Sequence, residues 1–150
     1  NYLKSCSSPY SLEEMIKSST AIRKGINNQP TDAIRNNLKL LCEHVLEPVR
    51  AAFGKSVSIT SGYRSVKLNK AIGGSGTSQH CEGKAADFTV DGISNKVVCE
   101  WIKDNLVFDQ LIYEFGEAGW VHCSYDNTPR QNVISAQKKS GKTVYVDGIK

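Results

Sequence analysis

The chain has no run of 18 or more apolar residues, no C-x-x-C pair and no stretch dominated by Lys and Arg, and each absence removes a class of protein. Without a long apolar run there is no candidate transmembrane helix. Asn1 to Tyr10 also lacks the apolar centre of a secretory signal, so no membrane insertion is expected. The five cysteines, Cys6, Cys42, Cys81, Cys99 and Cys123, are odd in number and widely spaced. That speaks against a disulfide framework and for synthesis in a reducing compartment. Cys42 and Cys99 fall within helix-like apolar patterns, where a thiol behaves as a small buried hydrophobe. The net charge is only +4, from 19 basic and 15 acidic residues; the basic ones are scattered, with Lys138 and Lys139 adjacent near the end. This is a weak pull toward an anionic partner or polymer, and with no aromatics interleaving a basic cluster, no nucleic-acid partner is expected.

What is present suits one globular domain over residues 1–150, expected to be a monomer: 39% of residues are hydrophobic and 23% charged, with no internal repeat and no linker. Ser11-Leu-Glu-Glu14 reads as a capping box opening a helix that runs to about Lys24 and stops at Gly25. Thr31 can cap a second helix carrying Ile34, Leu38, Leu41, Val45 and Val49 on one face, with Pro48 kinking its last turn. His44 sits on this scaffold with no chemistry around it. Val57 to Thr60 alternates as a strand, Val66 to Ile72 is short and helical, and Gly73-Gly-Ser-Gly76 is a loop without the pattern of a phosphate-binding one. Ala85 to Val90 reads as a strand, and Ser94 to Leu106 as a capped helix with Val97, Val98, Trp101 and Ile102 inward. Gln110 to Phe115 with Trp120 to Tyr125, and Val133 to Gln137 with Thr143 to Val146, read as two hairpins. The expected architecture is α+β, with N-terminal helices packed beside a small antiparallel sheet.

Three segments hold residues that such a scaffold does not require: Ser61-Gly-Tyr-Arg64, Ser78 to Asp87, and Trp120-Val-His-Cys-Ser124. Two of the three histidines lie in them. Catalytic zinc takes three protein ligands, commonly imidazole and carboxylate, and keeps one position open. His80, Asp87 and His122 fit that count, with Gly83 allowing the chain to turn between the first two. Strand alternation aims His122 to the same side as Trp120 and Ser124 and turns Cys123 away, whereas Cys81, on a loop, remains a possible sulfur ligand.

The motifs S-x-H-x-x-G-x-A-x-D and W-x-H, following S-G-Y-R, resemble the M15 family of zinc peptidases: D,D-carboxypeptidases, D,D-dipeptidases and phage L-alanyl-D-glutamate endopeptidases that cut peptidoglycan stem peptides. Ser78, His80, Gly83, Ala85 and Asp87 stand in that register. Ser11-Leu-Glu-Glu, Gly25-Ile-Asn-Asn-Gln-Pro30, Ile59 to Arg64 and Asp109-Gln-Leu-Ile-Tyr-Glu114 are similar to its compact phage and bacterial branch. The Hedgehog signalling domain shares the fold without being chiefly an enzyme, so the fold alone does not establish hydrolysis. The resemblance implies zinc held by His80, Asp87 and His122, with Arg64 stabilising an oxyanion and Ser78 or Gln79 bonding the substrate backbone. Many relatives carry an acid three residues before the last histidine, where this chain has Gly119. Glu114 is then the expected catalytic acid, with Glu117 the alternative. The expected function is hydrolysis of stem peptides, as a carboxypeptidase or endopeptidase of lysin type, made in the cytoplasm of a phage or prophage host and acting on the wall. The rival expectation, motivated by Gly119, is a zinc-stabilised module that binds wall peptide or protein without cutting it.

Overall fold

The computed structural model describes residues 15–16, 18–74 and 78–150. The capping box at Ser11 to Glu14, Cys6 and positions 75–76 of the glycine loop lie outside them. Helix α1 (Ser19–Lys24) ends as expected on Gly25, which is left-handed at φ 66°, but it starts afresh at Ser18 instead of continuing from Met15 and Ile16. Ser18 is extended, and its Oγ accepts from the Ala21 N–H at 3.1 Å; this local cap replaces a further turn of helix.

Thr31 caps α2 (Asp32–Leu41), which passes through a π-helical turn at Cys42–Leu46 into α3 (Glu47–Phe53). Proline accounts for the wide turn. Pro48 has no N–H to offer the carbonyl four residues back and its ring crowds that carbonyl, so the ladder opens by one residue and the Glu47 N–H bonds Cys42 instead. The inner face of this path, Leu38, Leu41, Cys42, Val45, Leu46 and Val49, is fully buried.

Strands β1 (Val57–Ser61), β2 (Ala85–Val90), β3 (Gln110–Glu114), β4 (Trp120–Ser124), β5 (Asn132–Lys139) and β6 (Lys142–Asp147) make one sheet in the order β1-β2-β4-β3-β5-β6. Both expected hairpins form. The second turns on Ser140 and Gly141, at φ 51° and 78°, the left-handed pair that a two-residue hairpin needs. The sheet departs from the antiparallel expectation at one joint, where β5 runs parallel to β3. Residues 125–131 leave β4 beside the start of β3 and step over that end, so Asn132 begins alongside Gln110. Helix α4 (Val66–Ala71) precedes the metal-motif segment, and α5 (Asn95–Asn105), capped by Ser94, covers the sheet with Val98, Cys99 and Ile102. Val97, expected inward, is 50% exposed. Phe88, Phe108, Leu111 and Val121 complete the core between sheet and helices, giving one α+β domain.

The turn that carries His80 is a short 3-10 segment, Gln79–Glu82, capped by Ser78 and closed by Gly83 at φ 71°. It is seated directly on α2: the Asn37 side-chain amide donates to the Glu82 carbonyl at 2.8 Å. A Cβ at Gly83 would stand 2.8 Å from both the Ile34 Cγ2 and the Ile34 carbonyl oxygen. Gly83→Ala therefore meets a left-handed backbone penalty and a contact with helix backbone that cannot swing away. The expected loss is about 2–3 kcal/mol, read as a lower urea midpoint at unchanged slope.

Candidate active site

Two chain segments distant in sequence are bonded to each other at His80. Its ring Nδ1 lies 2.7 Å from the Gly62 carbonyl, and its own carbonyl accepts from the Arg64 N–H at 3.1 Å. A carbonyl oxygen can only accept, so Nδ1 carries the hydrogen and Nε2 is left with its lone pair. Gly62 has no room for a side chain, because a Cβ there would overlap the Met15 carbonyl, which already takes the Tyr63 N–H. Asn28, 8% exposed, braces the same loop: its amide donates to the Ile16 and Tyr63 carbonyls and its oxygen accepts from the Ser65 N–H.

Sheet register supplies the rest. Asp87 on β2 stands directly opposite His122 on β4, where side chains of an antiparallel pair lie close. The Asp87 Oδ1 is 2.9 Å from His122 Nδ1 and 3.4 Å from His80 Nε2. Burial opposes ionisation of Asp87, but the His122 and His80 imidazoles beside it outweigh that effect and hold the carboxyl below the usual carboxylate range. One ligand atom from each of the three residues lies within 4.8 Å of the others, and all three side chains are largely buried. Donors about 2.0–2.1 Å from one tetrahedral ion lie about 3.3 Å apart, so two imidazoles and a carboxylate at these separations fit a single divalent metal. Cys81 is not in this group, and Cys123 is buried on the other side of the strand.

These residues sit in a groove of about 920 Å³, whose lining includes Arg64, Ser78, Gln79, Gln110, Ile112, Glu114 and Trp120. Glu114 Oε1 is 3.9 Å from His122 Nδ1. Burial pushes the Glu114 carboxyl above its ordinary value and the Asp87 charge adds to this, with His122 and Arg64 opposing in part. Glu117 is placed quite differently. Its two oxygens accept from the N–H groups of Asn95 and Lys96 at the start of α5, and one also accepts from the Tyr113 hydroxyl at 2.6 Å. The separation is made by Phe115, which is left-handed at φ 59° and turns the chain away from the groove straight after Glu114. Gly119, where the motif resemblance would place an acid, cannot carry one, since a Cβ would overlap the Glu114 carbonyl.

Arg64 Nη2 donates to the Ser78 Oγ at 3.3 Å, while its Nε is buried with no hydrogen-bond partner. The Ser78 Oγ also accepts from the His80 N–H. The Gln79 amide nitrogen donates to Asp109 at 2.7 Å, which leaves its carbonyl oxygen for a ligand. Asp109, only 4% exposed, is a residue that motif reading did not single out. It takes two donors from the Arg130 guanidinium at 2.9 and 3.0 Å besides the amide of Gln79. The Arg130 contact holds the Asp109 carboxyl down at about 2 against the opposing effect of burial. Its place at the head of Asp109-Gln-Leu-Ile-Tyr-Glu114 was the available signal, but its partners come from two other segments. His44, outside all of this, is exposed and stacked on Tyr125.

Residues 8–124 match the family model described as peptidase M15. The chain belongs to the peptidase M15 family. That membership supports a peptidase function, and the match takes in all three groups of the candidate metal site. No curated protein matches the chain closely enough to count as a relative. Strands β5 and β6 lie beyond the matched span of this M15 peptidase. Among the described residues, no helix is long and apolar enough to cross a membrane.

A divalent metal that binds the folded chain alone must stabilise it by mass action, by about 2.7 kcal/mol at a hundredfold excess over its dissociation constant. Zinc at that excess is expected to raise the melting temperature of the wild type and of His44→Ala. His122→Ala should show no zinc-dependent shift, and a chelator should return the wild type to its unshifted value. Differential scanning calorimetry reads all of these.

Proposed function

We propose that the chain is a zinc peptidase that hydrolyses peptide bonds in peptidoglycan stem peptides, with zinc held by His80, Asp87 and His122. The observation that carries this reading is the meeting of those three donors beside a half-buried fourth group, Glu114, in an open groove. Zinc supplies Lewis acidity, enough to make water a usable nucleophile near neutral pH. Glu114 is the base: an Oε takes the proton of the attacking water as the new C–O bond forms, and passes it to the amine nitrogen as the C–N bond breaks. A carboxyl whose proton affinity is raised by burial is better suited to that exchange than one fully solvated. Arg64, which lines the groove, offers its guanidinium to the negative charge that develops on the carbonyl oxygen. Ser78 holds Arg64 and caps the His80 turn, and the Gln79 carbonyl oxygen can accept from a substrate N–H.

The family supports peptidase activity, and the stem-peptide substrate rests on the motif resemblance. The carboxypeptidase and endopeptidase forms differ only in what lies beyond the scissile bond. A wall substrate also suits release to the cell wall from a host cytoplasm, as for a phage lysin. The non-cleaving module was motivated by the missing acid at position 119; Glu114 in the groove supplies that function from the neighbouring strand.

Purified chain is to be incubated with peptidoglycan, with zinc or with chelator, and new amino termini read by mass spectrometry. New termini that appear only with zinc are expected, and an unchanged digest sinks the proposal. Glu114→Gln should lower kcat about a hundred- to ten-thousand-fold while zinc remains bound. Glu117→Ala should leave kcat within about threefold and cost about 1–2 kcal/mol of stability through the lost helix cap. The opposite pattern would reassign the base.

A further inference from the structure

The hairpin β5–β6 lies outside the family match, yet it forms part of the same groove. Lys138 and Tyr145 line it together with Glu114, His122 and Trp120. The register shows how. Trp120, Glu114, Ala136 and Tyr145 stand in one row across β4, β3, β5 and β6, and Lys138 is the next residue on the Ala136 face of β5. Lys139, its neighbour in sequence, points to the opposite face and does not line the groove.

Lys138 is held in position without being neutralised. Its ammonium donates to the Thr143 hydroxyl at 3.2 Å and lies 5.5 Å from the centre of the Phe115 ring. Among the described residues no carboxylate forms an ion pair with it. The acids of the groove and its border are engaged elsewhere: Asp87 between two imidazoles, Asp109 under Arg130, and Glu114 beside His122. Arg130, the other cation toward the β5 side, is neutralised by Asp109. An oriented, uncompensated ammonium at the rim of a peptide groove is complementary to an anion, and a carboxylate is the anion that an ordinary peptide carries. Tyr145, 60% exposed, adds an aromatic face and a hydroxyl beside it.

We propose that Lys138 and Tyr145 form a carboxylate-binding subsite, by which the enzyme selects peptides bearing a free carboxylate near the scissile bond. This rests on the peptidase reading above and deepens it. The carboxylate can be the C-terminus of the substrate or the side chain of an acidic residue within it; both present the same chemistry to the ammonium. Because Lys138 is exposed, the selection is modest and salt-sensitive.

The test uses one synthetic stem pentapeptide in four forms: both carboxylates free, the C-terminus amidated, the internal glutamate amidated, and both amidated. KM and kcat are measured for the zinc-loaded wild type, Lys138→Ala, Lys138→Arg and Lys139→Ala. Equilibrium binding of the same four peptides is measured by calorimetry in a zinc-loaded Glu114→Gln background, with and without Lys138→Ala. Lys138→Ala should raise KM and the dissociation constant about tenfold for peptides that keep the recognised carboxylate, with kcat within about twofold. Lys138→Arg should restore most of the loss and Lys139→Ala should cause none. The contrast should vanish on the doubly amidated peptide, and whichever single amidation also removes it identifies the carboxylate. An equal penalty from Lys138→Ala on all four peptides overturns the proposal, as does the absence of binding to the fully free form. A Lys138 contrast in binding without any wild-type turnover would contradict the peptidase reading and leave the subsite standing.

Discussion

The hydrogen bond between His80 Nδ1 and the Gly62 carbonyl is the constraint from which the site follows. It removes the choice of tautomer, stops the ring from flipping, and leaves one nitrogen lone pair facing Asp87. The S-G-Y-R loop and the S-x-H turn are then a single object, because the Arg64 N–H returns a bond to the His80 carbonyl. Gly62 serves packing and chemistry at once. Its missing side chain lets Met15 backbone lie against the loop, and that position fixes where its carbonyl points. Asn28 braces the arrangement through the Ile16 and Tyr63 carbonyls and the Ser65 N–H.

Two glutamates three residues apart end in unlike surroundings, because the chain between them passes through two consecutive left-handed residues, Phe115 and Gly116. Phe115 in the left-handed region costs about 1–2 kcal/mol in a non-glycine residue. It ends β3 with Glu114 facing the groove and delivers Glu117 to the N-terminus of α5, where helix N–H groups and a tyrosine hydroxyl take up its charge. The Phe115 N–H bonded to the Ala136 carbonyl ties this bend to β5. The same strand brings Lys138 to the groove.

Local pattern was enough to locate the elements that carry His80, Asp87 and His122, since each lies in a segment with its own cap, glycine or alternation. The Gly25 stop, the Thr31 and Ser94 caps and the Ser140-Gly141 turn are likewise written in adjacent residues. What could not be read is non-local. The parallel joint of β5 to β3 depends on which edge is free after β4 has paired, and no periodicity in Asn132 to Lys139 encodes that choice. The Asp109 cluster draws on Gln79, Asp109 and Arg130, three positions without a shared motif. Local competition hid two further details: Ser18 caps a new helix within an apparently continuous one, and the ladder widens before Pro48 where a kink was expected. Val97 shows the limit of an apolar count, because its neighbour Val98 takes the inward position.

Two imidazoles and one carboxylate around one divalent ion would leave a position open, and the ion's own coordination shell reports whether they do. X-ray absorption at the zinc edge of the zinc-loaded chain should show a shell of about four nitrogen and oxygen atoms at about 2.0–2.1 Å, with the multiple-scattering signature of two imidazoles. A sulfur at about 2.3 Å, or a shell of oxygens without imidazole, would place the metal elsewhere and contradict the account.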